Sequence, residues 1–410
     1  MRTPVAVIGA GQAGLAMSRH LTDRSIDHVV LDRGEVGHSW RTERWDSLRL
    51  LTPNWMSRLP GHRYGGPDPD GFMGKDEVVD LLEAYAHRIE APVYRHVDVT
   101  QVRSHGTVFD VVSDHGTWSC DAVVIATGAS SEPRLPALAT CVPTRVQQLT
   151  AQNYRNPAQV GDGGVLVVGA SASGIQIADE LRRSGRDVVI AVGEHVRLPR
   201  HHRGRDIHWW MDAIGQLDER YDEVDDIDRA RRLPSLQLVG SPDHRTLDLN
   251  ALVASGVDVV GRLMRVDDRR AQFSGGLAHL VAIADLKQNR LLDRLDEFAI
   301  ERRFAGQLSE PTRPQPTVVG VVPTDLDLAR FGTVVWATGY RPTYRWLDRD
   351  AFDQRGRVVH DGGVCALPGL YLLGLPFMRR RKSSFIDGVG PDASELVGHL
   401  HAHLDRRVHA

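Results

Sequence analysis

Val5-Ala6-Val7-Ile8-Gly9-Ala10-Gly11-Gln12-Ala13-Gly14 begins as a β-branched run, passes through a glycine-rich turn, and enters an apolar-periodic segment through Leu15, Met17 and Leu21. The pattern is strand, tight turn, helix, with G-x-G-x-x-G at the turn. In such a unit Gly9 makes the turn, Gly11 lets backbone approach a pyrophosphate, and Gly14 lets helix and strand pack closely. A second run, His28-Val29-Val30-Leu31, ends in Asp32, 23 residues after Gly9. An acid about 20 residues on is placed to accept from a ribose hydroxyl. Asp32, with Arg33 beside it, is therefore expected at the adenosine end of a bound dinucleotide.

The design occurs twice. Val165-Leu166-Val167-Val168-Gly169-Ala170-Ser171-Ala172-Ser173-Gly174 aligns without a gap on residues 5–14. In that register Leu181 falls on Leu21 and Val189 on Val29, but Val192 falls on Asp32. The segment after Val192 is basic: Arg197, Arg200, Arg203 and Arg205, among His195, His201 and His202. A carboxylate suits a free 2′-hydroxyl and an arginine suits a 2′-phosphate. The first copy is thus expected to hold FAD (or NAD) and the second NADP, with Arg197, Arg200 and Arg203 as phosphate readers; Arg200→Ala and Arg203→Ala would then weaken NADPH more than NADH. Ser171 stands where the middle glycine belongs and narrows the space for pyrophosphate, though its hydroxyl is able to donate to phosphate. A further repeat closes each copy: Ala122 to Gly128 and Val334 to Gly339 are apolar runs ending in Ala126-Thr127-Gly128 and Ala337-Thr338-Gly339.

The rest of the chain narrows the field. Its 410 residues, 41% hydrophobic and 25% charged, suffice for more than one packed core. Fifty basic against 53 acidic residues give a net charge of −3, which points away from nucleic acid and anionic membranes. The longest charge-free run, residues 362–378, is broken by prolines and glycines, and a spanning helix needs roughly 20 apolar residues. No signal peptide is legible, so a soluble, cytoplasmic protein is expected. Three scattered cysteines (Cys120, Cys141, Cys365) and histidines without partnering ligands predict no metal site.

The expected architecture is α/β, with two Rossmann-type dinucleotide-binding domains. The FAD domain is expected at 1–155 and 330–410, and the NADP domain at 156–329, inserted into it, with an extra segment around 205–249. Within that segment Trp209 and Trp210 suit either a substrate cavity or the core. Arg379 to Lys382 reads as a solvated turn or an anion site near the first cofactor.

Two such sites on one chain point to hydride transfer from nicotinamide to flavin. A disulfide reductase would need a redox cysteine pair, and the spacings of 21 and 224 residues supply none. Dioxygen is the expected acceptor. Taken with Gly37-His38-Ser39-Trp40-Arg41, Leu50-Leu51-Thr52-Pro53 and both Ala-Thr-Gly ends, the whole chain resembles the flavin-containing monooxygenases. It departs from them between the modules. Anchored on Tyr154, Thr144, Val146 and Thr150 stand where that family's F-x-G-x-x-x-H would place Phe, Gly and His.

The resemblance implies FAD and NADPH as cofactors. It also implies a C4a-(hydro)peroxyflavin that oxygenates nitrogen, sulfur or a carbonyl carbon of a small substrate. Its implied flavin contacts are Trp40, Arg41, Thr52, Val99, Ala126, Thr127 and Gly128. The nicotinamide dinucleotide would meet Gly169, Ser171, Ser173, Gly174, Thr338 and Gly339. No catalytic side chain, substrate or oligomeric state is legible. The alternative is an NAD(P)H-dependent flavin oxidoreductase that passes electrons to a quinone or protein.

Overall fold

A computed structural model describes all residues but 107, 303, 305–307, 409 and 410. Two parallel-centred sheets organise it. The first has seven strands, in the order His360–Asp361, Val364–Cys365, Leu370–Leu372, Ala122–Ile125, Val5–Ile8, His28–Leu31, Val93–Tyr94. The second has five, in the order Asp258–Val260, Val188–Ala191, Gly164–Val168, Phe331–Trp336, Gln147–Thr150. In each sheet the glycine-motif strand is flanked by the strand after its helix and by the strand that ends in Ala-Thr-Gly. Val5 pairs with His28 and Ala122, as Val165 pairs with Val188 and Thr333. These strands are apolar along their length because both faces are covered, one by helices and the other by a three-stranded antiparallel sheet, and Val5, Val7, Val165 and Val167 are fully buried.

Sheet membership moves the expected domain edges. Residues 147–150 and 331–336 both belong to the second sheet, so the cuts at 155/156 and 329/330 fall inside it. The strand pair that crosses between the units is Glu132–Pro133 with Tyr340–Arg341, antiparallel, and Arg341 is ion-paired to Glu132 at 3.2 Å. The tail does return to the first sheet: Leu370 pairs with Val123, and the helix Val389–Val408 packs on the helix Gln12–Thr22.

Helix Lys75–Arg88 forms where its apolar spacing places it, with Glu77 accepting from the Gly74 amide at its start. The 25-residue helix Leu277–Glu301, which the strand–helix rhythm did not announce, covers the insertion. Its Leu292 and Leu295 pack with Trp210, which is fully buried and donates from Nε1 to the His202 carbonyl at 2.8 Å. Trp209 is half-buried against Trp210 and Phe304. Trp210 is a core residue, and Trp209 packs against that core. No helix among the described residues is long and apolar enough to cross a membrane.

Candidate functional site

The two glycine turns have the same backbone. Gly9 has φ +110° and Gly169 φ +109°, values that a residue with a Cβ rarely adopts. At Gly9 a Cβ would also lie 2.6 Å from the Ala126 carbonyl oxygen. A Cβ on Gly14 would overlap the Gly9 carbonyl oxygen, and one on Gly174 would overlap that of Gly169. These four glycines are demanded by the polypeptide itself.

Gly11 is different. Its φ of −84° and ψ of −172° suit any residue, and a Cβ there would meet nothing within 4 Å. Ser171 occupies the same conformation, φ −84° and ψ −171°, without strain. The fold alone does not require glycine at position 11, and the space beside it is open onto a cavity of about 540 Å³. That opening, at the N-terminus of the helix Gln12–Thr22, fits a pyrophosphate: unpaired amides face it, and the helix dipole favours negative charge there.

Asp32, Arg33, Asp98 and Val99 border this cavity. Asp32 accepts from the Ala10 amide at 2.6 Å and from the Gly34 amide at 3.0 Å, which aim its carboxylate; burial nonetheless pushes its pKa up. Trp40, Arg44, Pro376 and Ser384 border it too. Trp40 packs against the cores of both units, and the Arg44 guanidinium lies 5.5 Å from its ring centroid. At Trp40 the lining therefore meets the seam between the two folds. Next to Pro376, Phe377 is held at φ +45°, with its carbonyl accepting from Arg231 at 3.2 Å. A larger cleft of about 850 Å³ beside Arg58, Lys382 and Asp387 borders neither glycine turn.

Gly9, Gly11, Asp32, Arg33, Trp40, Val99, Ala126, Thr127 and Gly128 all border the one cavity. Arg33 does so while ion-paired to Glu43. Arg41 and Thr52 do not border it. Arg41 is ion-paired to Glu83 and donates to the Val36 carbonyl at 3.4 Å. The Thr52 loop is drawn to the second unit, with the Leu51 carbonyl accepting from Arg200 at 2.8 Å. Arg44, Ser130, Gly374, Pro376 and Ser384 also border the cavity and were not expected there. No motif marks them, and the last three come from a tail whose return to the first sheet was the only signal.

At the second turn, Ser171 and Ser173 are half-buried, and neither hydroxyl has a hydrogen bond among the described residues. Both are available to donate to a pyrophosphate at the start of the 12-residue helix Ala172–Arg183. Thr338 is engaged elsewhere: its hydroxyl donates to the Arg134 carbonyl at 2.5 Å, and the Gly339 carbonyl accepts from the Arg134 amide.

The three arginines expected to read a 2′-phosphate are already paired. Arg197 is 3% exposed and bound to Asp248 and Asp285, each at 2.7 Å. Arg200 is fully buried against Asp206 at 2.6 Å and over the Phe72 ring. Burial opposes the Asp206 charge, but His208 and Arg200 outweigh it and hold the pKa down to about 2. Arg203 donates to the Ser309 carbonyl and approaches Asp296 at 3.5 Å. Desolvated charges need partners, and here the partners are aspartates of the insertion and its covering helix. The basic run at 379–382 is likewise consumed, by Glu395, Asp392, Glu219 and Asp387.

All three cysteines are free. Cys120 and Cys365 are buried, which pushes both thiols up to about 12, and none of the three borders the cavity.

Two Rossmann-type units that meet at a shared seam, one with a cavity and acid suited to a dinucleotide, define a two-dinucleotide oxidoreductase. Residues 6–213 match the family described as pyridine nucleotide-disulphide oxidoreductase. The chain is 32% identical over 402 residues to an oxidoreductase named CzcO-like from Geobacillus kaustophilus, covering 97% of this chain and 98% of that one. It is 29% identical over 412 residues to the indole-3-pyruvate monooxygenase YUCCA1 of Oryza sativa, covering 98% and 92%. Its fold matches a flavin-containing monooxygenase from Stenotrophomonas maltophilia with a TM-score of 0.68 at 22% identity, over 98% and 99% of the two chains. The chain belongs to the pyridine nucleotide-disulphide oxidoreductase family. It is an oxidoreductase of that family whose fold is that of the flavin-containing monooxygenases.

Proposed function

We propose that the protein is a monooxygenase that uses NADPH and dioxygen to oxygenate a small organic substrate at nitrogen, sulfur or a carbonyl carbon. The observation that carries this reading is the pair of glycine turns of matching backbone on one chain, with no thiol facing the cavity beside the first of them. FAD held in this cavity would supply the redox chemistry that links a nicotinamide hydride to dioxygen.

The chain's own residues bind, orient and shield. The amides at the start of the helix Gln12–Thr22 hold the FAD pyrophosphate in the space left by Gly11. Asp32 accepts from the ribose, and Val99 borders the adenine. Trp40 borders the cavity and packs against the second unit, where exclusion of water protects a reactive site. Ser171 and Ser173 donate to the NADPH pyrophosphate. Buried thiols at Cys120 and Cys365 remove a disulfide relay from the route.

The test is NADPH turnover under isotopically labelled dioxygen with a panel of amines, sulfides and ketones. One labelled oxygen atom in a product supports the reading. If every substrate stays unlabelled while a quinone or protein acceptor is reduced, the protein is a reductase and the reading fails.

A further inference from the structure

With Arg197, Arg200 and Arg203 paired, the second unit needs another group at the adenosine end of its dinucleotide. In the register of the repeat, Val192 stands for Asp32 and Gly193 for Arg33. Val192 is fully buried and offers no acceptor to a ribose hydroxyl. The neighbouring strand Asp258–Val260 runs parallel, with Val260 opposite Ala191, and the Val192 amide donates to the Val260 carbonyl at 3.0 Å. That register carries the chain at 261–262 alongside 192–193.

Arg262 is pinned there through its backbone. Its carbonyl accepts from the Ser274 amide at 2.8 Å. Its side chain is exposed and leans over Gly193: Nε lies 3.5 Å, and Nη2 3.7 Å, from where a Cβ on Gly193 would stand. No carboxylate among the described residues is ion-paired to Arg262. The adjacent Glu194 is paired to Lys287 at 3.7 Å, and His195 Nδ1 donates to the Gly193 carbonyl at 3.1 Å, closing the turn. The result is an unpaired guanidinium over a residue without a side chain, at the end of the strand where the first unit carries its ribose acid.

We infer that Arg262 is the residue that selects the 2′-phosphate of the second dinucleotide, with Gly193 leaving the room it needs. This rests on the second cradle binding an adenine dinucleotide. A guanidinium is always charged, and its planar fork grips phosphate oxygens in pairs. Reading by an arginine borrowed from the neighbouring strand explains why no arginine stands directly after Val192.

The test titrates the FAD-loaded protein calorimetrically with 2′,5′-ADP and with 5′-ADP, which lacks the 2′-phosphate. The unaltered protein is expected to prefer 2′,5′-ADP by about tenfold or more. Arg262→Ala removes that preference while leaving 5′-ADP binding within about twofold. Gly193→Asp, which sets a carboxylate beside the guanidinium, removes it too. Both positions lie at the surface turn, and unchanged thermal unfolding shows that the variants fold. An Arg262→Ala protein that keeps the preference overturns the assignment. Equal binding of the two ligands by the unaltered protein overturns it as well. If the unaltered protein binds neither ligand, the second cradle itself fails, and the inference with it.

Discussion

The two strand–turn–helix units share dihedral angles to within a degree or so at the first glycine and the helix cap, yet they differ at the side chains that face a ligand. Where the backbone packs on itself the copies are identical: Gly9 and Gly14 against Gly169 and Gly174. Where a ligand is to lie they diverge: Gly11 against Ser171, Asp32 against Val192, Arg33 against Gly193. A glycine fixed by the fold and a glycine kept free for a ligand are distinguished by what a Cβ would strike, which the motif alone does not say.

The comparison can be broken most sharply at Arg200. If the second copy's basic segment is a buried brace rather than a phosphate reader, Arg200→Ala leaves the buried Asp206 without its guanidinium, held only by His208, and costs about 3 kcal/mol of stability. Denaturant unfolding should show this, with NADPH and NADH affected alike; a stable variant that discriminates against NADPH alone would restore the reader's role. The next largest effect is shared by both copies. Gly14→Ala and Gly174→Ala each drive a methyl into a backbone carbonyl and are expected to cost about 3 kcal/mol, measured by thermal unfolding. A clear inequality between them would mean that the two turns are not equally constrained.

Acid sharpens the contrast further. Asp206 ionises with a pKa near 2 in the folded protein against an ordinary 3.8, so its depressed pKa adds stability above the ordinary value. That contribution, about 2 kcal/mol, is lost as pH falls from 3.8 through 2. Asp206→Asn should flatten stability against pH in this window. The smallest effect on stability is expected at Gly11→Ser, which copies the second turn into the first: unfolding shifts by less than about 0.5 kcal/mol, while FAD affinity measured by flavin fluorescence falls. Unchanged FAD affinity would mean that the opening beside Gly11 is not where the pyrophosphate lies.

Much of the molecule is legible in the chain. The repeat at residues 5–14 and 165–174, the acid at 32 and the return of the tail come from period, spacing and the economy of completing a sheet. The edges are not legible, because Gln147–Thr150 and Phe331–Trp336 are short apolar runs whose sheet is decided by pairing. The basic cluster misleads for a related reason: an arginine near a nucleotide fold looks the same in sequence whether it faces solvent or an aspartate 51 or 88 residues away, as Arg197 does. Arg262 carries no motif at all, since its place beside Gly193 exists only through strand register.

The central claim is that electrons cross the seam beside Trp40. Anaerobic mixing of the FAD-loaded protein with NADPH in a stopped-flow spectrometer tests this most directly. The visible flavin band is expected to bleach, far faster with NADPH than with NADH, and Gly174→Ala should slow it while flavin remains bound. Protein that takes up no flavin, or bound flavin that stays oxidised with excess NADPH, would contradict the claim.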